Sequence, residues 1–240
     1  MSIQESRQTR TVRHFSLYAV VALIIGAISL YAFISLAGGV VTNEGLAESD
    51  KQIADTIHAA AMPTGITLFT NISLLGNEAV WVISAAVLLY FGLRRQWATV
   101  LLWIFTVGIG QLLNIVLKLT FNRARPVFSN AFVNAVGFSF PSGHAMWSAI
   151  TYSLLAYILI IHTASLARRI LIVTVCVLIV LLVGLSRIYL GAHYLSDVLA
   201  GFAAGALWVV ISTAAFRLAR RAANREVQPA AMSVTNSARG

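Results

Sequence analysis

Six apolar runs set the pattern of this chain. A helix needs about 20 residues to cross the roughly 30 Å hydrocarbon layer of a bilayer, and most of the runs approach or exceed that length. The first covers 15–36, with Gly38-Gly39 expected to end it. It follows Arg7, Arg10 and Arg13. It is longer than the ~7–15 apolar residues of a signal peptide, so it reads as a retained membrane helix. Residues 43–58 are polar, with Glu44, Glu48, Asp50, Lys51 and Asp55. The stretch 59–77 is uncharged but interrupted by Pro63, Gly65, Asn71, Ser73, Gly76 and Asn77. It predicts a short helix in the interface rather than a crossing. Further spans are predicted at 79–93, 97–119, 143–161, 170–186 and 194–216, with an irregular loop at 121–141 punctuated by Pro126 and Pro141. The expected fold is all-α, a six-span transmembrane helical bundle with a short interfacial helical segment between spans one and two. Residues 1–14 form a cytoplasmic N-terminal segment, 15–217 the membrane domain, and 218–240 a polar cytoplasmic tail without structure.

Composition agrees with the pattern. Of 240 residues, 59% are hydrophobic and 10% charged, against about 25% charged in a soluble domain. The mean hydropathy is +0.84. A formal net charge of +9 would by itself suggest nucleic acid as a partner. The positions of the charges exclude it, because most basic residues flank the apolar runs. Cys176 lies inside an apolar run, and a single cysteine forms neither an intrachain disulfide nor a zinc cluster.

Six spans place both ends on one side of the membrane. Twelve of the 17 Lys and Arg residues fall on that side, which is therefore cytoplasmic. The remaining five, Lys51, Lys118, Arg123, Arg125 and Arg187, face outside, where topology gives no reason for them.

Four of those five belong to segments that meet on the outer side. Lys118 and Arg125 are seven residues apart, so a helical turn would put them on one face. Pro141-Ser142-Gly143-His144 opens the fourth span. Free N–H groups at a helix start bind anions, Gly143 lets an anion approach the backbone, and Ser142 adds a donor. The bland alternative for Ser142 is a plain helix cap. Finally, Ser186-Arg187 precedes His193 and Asp197, four residues apart at the start of the sixth span. On a helix that spacing sets the carboxylate beneath the imidazole, where it fixes the Nδ1–H tautomer and leaves Nε2 free. Cations, two histidines, a carboxylate and an anion-binding helix start are the parts phosphoryl transfer requires.

The pattern Lys-x6-Arg-Pro, Pro-Ser-Gly-His, Ser-Arg-x5-His-x3-Asp resembles the type 2 phosphatidic acid phosphatase family, whose relatives include vanadate-holding haloperoxidases. All three motifs occur in order between Lys118 and Asp197. The resemblance implies a lipid phosphatase in which His193 is the nucleophile and Asp197 orients it. His144 protonates the leaving oxygen and then activates water. Lys118, Arg125 and Arg187 clamp the phosphate, with Ser142 and the Gly143 N–H completing the cradle. Arg123 stands outside the motif. Neither metal nor other cofactor is implied, because three cations supply the charge. The partner is a membrane lipid substrate, with no nucleic acid and no obligate protein partner. Phosphatidic acid, phosphatidylglycerophosphate and a polyprenyl diphosphate such as undecaprenyl diphosphate are the candidates. Chain size, short loops and the outer-facing site suit a bacterial lipid phosphatase of the inner membrane, and the expected role is polyprenyl diphosphate recycling with broad activity on lipid phosphates. The reading from another class is a membrane protein that binds or transports an anion or lipid phosphate without hydrolysing it.

Overall fold

A computed structural model describes the backbone of residues 3–42 and 44–237 and the side chains of 19–42 and 45–223. Its helices are α1 (Ile3–Thr42), α2 (Glu44–Ala59), α3 (Pro63–Ser73), α4 (Glu78–Leu93), α5 (Trp97–Trp103), α6 (Ile109–Phe121), α7 (Gly143–Ile161), α8 (Leu166–Tyr189) and α9 (Leu195–Ser237). A 3₁₀ turn, Leu74–Gly76, joins α3 to α4, and a π turn, Ile104–Gly108, joins α5 to α6. Six segments among the described residues are long and apolar enough to cross a membrane: Ala19–Thr42, Pro63–Leu93, Trp97–Phe121, Gly143–Ile161, Leu166–Tyr189 and Leu195–Ala223. Large apolar side chains such as Leu23, Ile28, Trp81, Leu101 and Leu178 point outward, as lipid contact requires.

Three readings of the sequence need correction. First, α1 does not stop at Gly38-Gly39 but continues to Thr42. A Cβ at Gly39 would lie 2.7 Å from Leu46 Cδ2, so this glycine admits α2 rather than ending α1. Second, the helical segment between spans one and two is the polar stretch itself. It folds as α2, turning Asp50 and Ala54 inward. The interrupted stretch that was expected to lie in the interface instead forms α3 and the 3₁₀ turn, and joins α4 in one 31-residue apolar segment. Pro63 sits at the first helical position of α3, where a missing N–H costs nothing. Third, α9 runs on as helix through 218–237, where an unstructured tail was expected. Residues 238–240 of that tail, and the side chains of the expected 1–14 segment, lie outside the described residues.

The site is positioned by α7, the most enclosed of the six spans among the described residues, with more than half of its apolar stretch buried. Its inner face packs Met146, Ile150 and Leu154 against Trp103 and Val107. At the π turn the Thr106 carbonyl accepts a 2.7 Å bond from the Trp208 indole, so the irregular backbone is satisfied by a neighbouring helix. Gly201 and Gly205 bring α9 hard against α7. A Cβ at Gly201 would lie 2.7 Å from the Ser142 carbonyl oxygen, and one at Gly205 would lie 2.9 Å from that of Met146. This small-xxx-small contact lets two helix backbones touch. It also brings the start of α7 onto the start of α9, where the Ser142 N–H donates to the Asp197 carbonyl at 2.9 Å.

Candidate active site

The residues expected to cooperate come from the end of α6, the loop 122–142, the start of α7, the end of α8 and the turn before α9. Asn122 ends α6 in the left-handed region, φ +47°, with its N–H bonded to the Lys118 carbonyl. Arg125 therefore lies in the loop. What places it near Lys118 is this chain reversal, not the shared helix face that the sevenfold spacing suggested. The loop is pinned to α2, where the His58 ring stacks between Phe128 and Phe132 at 3.8 and 4.2 Å.

His193 is likewise not on the helix. Gly191, at φ +66°, turns the chain after α8, and the Ala192 and His193 N–H groups both donate to the Arg187 carbonyl. Asp197 sits at the third position of α9 and reaches back to accept the Tyr194 N–H at 2.9 Å, half of a capping box. Its Oδ2 stands 3.6 Å from His193 Nδ1, too long for a hydrogen bond. Ser139, which the motifs do not include, fills the gap: its Oγ donates to Asp197 Oδ2 at 2.5 Å and lies 3.3 Å from His193 Nδ1. The predicted His–Asp pair is thus bridged by a hydroxyl.

On the other edge of the ring, Arg125 Nη1 lies 3.0 Å from His193 Nε2 and donates to the Ala192 carbonyl at 2.7 Å. The rest of its guanidinium bonds the Gly137 and Val136 carbonyls. Lys118 Nζ donates to the Phe138 carbonyl at 2.5 Å. It is within electrostatic reach of Arg125, Arg187 and Asp197. Arg187 Nη1 donates to Ser73 Oγ at 2.5 Å. The Arg187 Nε and Ser142 Oγ are both buried and make no hydrogen bond among the described residues. Ser142 occupies the cap position of α7 without its side chain capping it, so the plain-cap reading of this residue fails. A Cβ at Gly143 would fall 3.1 Å from Asn114 Oδ1 and 3.8 Å from Lys118 Cε, which keeps this position small. His144 follows, half-buried and within electrostatic reach of Arg187, His193, Arg125 and Lys118.

All eight residues singled out in the sequence therefore converge. Burial pushes the His193 imidazole down to about 4, Arg125 and Lys118 add to that, and Asp197 opposes it. This favours the neutral ring; with the Nδ1–H turned toward Ser139 Oγ, the unshared pair at Nε2 accepts from Arg125 Nη1. Burial lowers Arg125 from its usual value, with Asp197 opposing, and it remains a cation. Among the described residues no group of three or more His, Cys, Asp or Glu is placed to hold a metal ion. Buried and half-buried donors gathered around an imidazole suit an acceptor-rich tetrahedral anion.

Residues 99–221, which contain this entire cluster except Ser73, match the model of the PAP2 superfamily. Phosphatidylglycerophosphatase B of Bacillus subtilis (strain 168) is 33% identical over 186 residues, covering 75% of this chain and 89% of the relative. The chain belongs to the PAP2 superfamily. It is a multi-pass membrane lipid phosphatase of that metal-independent group. The fold agrees. The crystal structure of the transmembrane PAP2-type phosphatidylglycerolphosphate phosphatase from Bacillus subtilis superposes with a TM-score of 0.69 at 31% identity, over 79% of this chain and 94% of that one. LpxE of Aquifex aeolicus superposes with a TM-score of 0.54 at 26% identity, over 68% and 93% of the two chains.

Proposed function

We propose that this PAP2 phosphatase removes the terminal phosphate of phosphatidylglycerophosphate at the outer face of a bacterial inner membrane, through a phosphohistidine on His193. The observation that carries the mechanism is the 3.0 Å approach of Arg125 Nη1 to His193 Nε2, which sets the clamp beside the attacking atom. Lys118, Arg125 and Arg187 hold the equatorial oxygens, with the Ser142 hydroxyl and the Gly143 N–H at the start of α7. His193 Nε2 attacks phosphorus, the ester P–O bond breaks, and His144 gives its proton to the departing alcohol. Water then attacks the phosphohistidine while His144 takes back a proton, releasing inorganic phosphate and free His193. Three cations neutralise the charge that develops on the phosphoryl oxygens, so the scheme uses no metal. The choice of lipid follows from the names of the Bacillus subtilis matches and replaces the polyprenyl diphosphate expected from the sequence.

The test compares kcat/KM for phosphatidylglycerophosphate, phosphatidic acid and undecaprenyl diphosphate with the purified protein in detergent. The first is expected to lead. Activity should persist in EDTA and be inhibited by vanadate, which becomes five-coordinate at His193 and mimics the transition state. A lead for undecaprenyl diphosphate would overturn the choice of lipid. Loss in EDTA with rescue by Mg²⁺ would overturn the three-cation account.

The outward orientation rests on the asymmetry of basic residues. With Cys176 replaced by Ala, a cysteine at Ser129, in the loop carrying Arg125, should react with an impermeant thiol reagent on intact cells. One at Ser165, between α7 and α8, should not. The opposite labelling would invert the topology.

A further inference from the structure

Arg123, which lies outside the motifs, and Asp50, from the polar stretch that became α2, meet beside the nucleophile. Arg123 Nη1 donates to Asp197 Oδ1 and to Ser196 Oγ, each at 2.7 Å, and its Nη2 donates to Asp50 Oδ2 at 2.8 Å. The guanidinium lies over the Tyr194 ring, 4.5 Å from its centre. The Arg123 carbonyl also accepts the Ser139 N–H at 2.8 Å. One residue therefore fixes both oxygens of Asp197: Oδ1 through its side chain, and Oδ2 through the backbone that seats the Ser139 hydroxyl. Asp50 completes the arrangement. Its Oδ1 accepts the Ser196 N–H at 3.1 Å, and its Oδ2 takes the Ser196 hydroxyl as well as Arg123. Asp50 thus serves as a surrogate cap on the first turn of α9, supplied from 146 residues away. Side-chain exposure is 3% at Asp50 and 12% at Arg123, so water screens the pair little. Burial opposes the charge on Arg123, but Asp197 and the bonds to both carboxylates outweigh it and hold the guanidinium above its usual value.

We propose that Asp50 and Arg123 are positioning residues that aim the Asp197 carboxylate, through Ser139, at His193. The proposal rests on His193 being the nucleophile. Arg123 serves the carboxylate side of the imidazole, while Arg125 serves Nε2. Neither Asp50 nor Arg123 touches the phosphate in this scheme. Their loss should slow phosphoryl transfer without weakening substrate binding.

The experiment is the pre-steady-state burst of p-nitrophenol from p-nitrophenyl phosphate, with the full chain in detergent. Asp50→Asn is the informative variant, because the amide oxygen still accepts the Ser196 N–H while the charge facing Arg123 is gone. Asp50→Asn and Arg123→Gln should each lower the burst rate constant on the order of 10²-fold, the usual cost of misplacing a reacting group by about 1 Å. Burst amplitude and KM should hold. The double variant should be no slower than Arg123→Gln, since coupled residues are not additive. A wild-type rate constant in Asp50→Asn overturns the proposal. So does a reduced amplitude at the wild-type rate constant, or aggregation of Asp50→Asn, either of which marks a clamp on the fold. A raised KM with the rate constant kept overturns it too, by making Arg123 a substrate contact. A burst in His193→Ala would instead remove the nucleophile reading itself, whatever Asp50→Asn does.

Discussion

His193→Ala should be essentially inactive whatever the leaving group, with a fall of roughly 10⁶-fold, the size seen when the nucleophile is removed from residues that act as a unit. The expectation follows from what surrounds the ring. Nε2 is the ring atom beside Arg125, at 3.0 Å, and Nδ1 is engaged on the opposite side by Ser139 at 3.3 Å. The imidazole is 2% exposed. A water molecule placed by chance in the space left by the side chain has no base of its own and no fixed line of attack. The clamp of Lys118, Arg125 and Arg187 survives the substitution, so the variant should still bind inorganic phosphate and should lose only its strong preference for vanadate. Trapping with ³²P-labelled substrate tests this directly. The wild type should yield an alkali-stable, acid-labile phosphoprotein and His193→Ala none. A phosphoprotein of the same lability in the variant would assign the attack to another residue.

The sequence carried most of the fold because spans and motifs are written in local terms. Span 143–161 coincides with α7 and 79–93 differs from α4 by one residue, since arginine pairs, prolines and glycines next to apolar runs mark ends chemically. One misreading arose where a polar residue faces inward. In α2 the positions Leu46, Asp50, Ala54 and Ile57 follow helical spacing and form the less exposed face, yet a carboxylate on that face disguises the period. Gly38-Gly39 looked like a terminator because glycine ends helices far more often than it admits a neighbour. In the site, the eight residues were picked out by the three motifs, although Arg125 and His193 lie off the helices that their spacing suggested. Ser139 and Asp50 were not, because they reach Asp197 and Ser196 across 58 and 146 residues, and no local pattern encodes such a contact. Arg123 left a trace: the charge asymmetry assigned it to five basic residues on the side where topology gives no reason for them.

His144→Ala should fail differently from His193→Ala, and the leaving group should expose the difference. His144 is the second residue of α7. It stands beside the 3₁₀ turn that precedes α4, where a Cβ on Gly76 would lie 3.2 Å from its own Cβ. Its ring runs nearly parallel to that of Trp147, at 18° and 6.3 Å. It thus lies on a separate element from His193 and shares the surroundings of the same three cations. If it protonates the departing oxygen, its value depends on how badly that oxygen needs a proton. A lipid alkoxide is a very poor leaving group, and general acid catalysis is typically worth about 10²- to 10⁴-fold, so His144→Ala should lose that much on phosphatidylglycerophosphate. The p-nitrophenolate anion leaves without help, and formation of the phosphohistidine from p-nitrophenyl phosphate should suffer far less. Steady-state turnover can conceal this, because the same histidine is assigned to activate water in the second step. The burst separates the two steps. His144→Ala should release one equivalent of p-nitrophenol rapidly and then stall as phosphoenzyme, whereas His193→Ala should show no burst. A missing burst in His144→Ala would place this histidine in the attack step and exchange or merge the two roles.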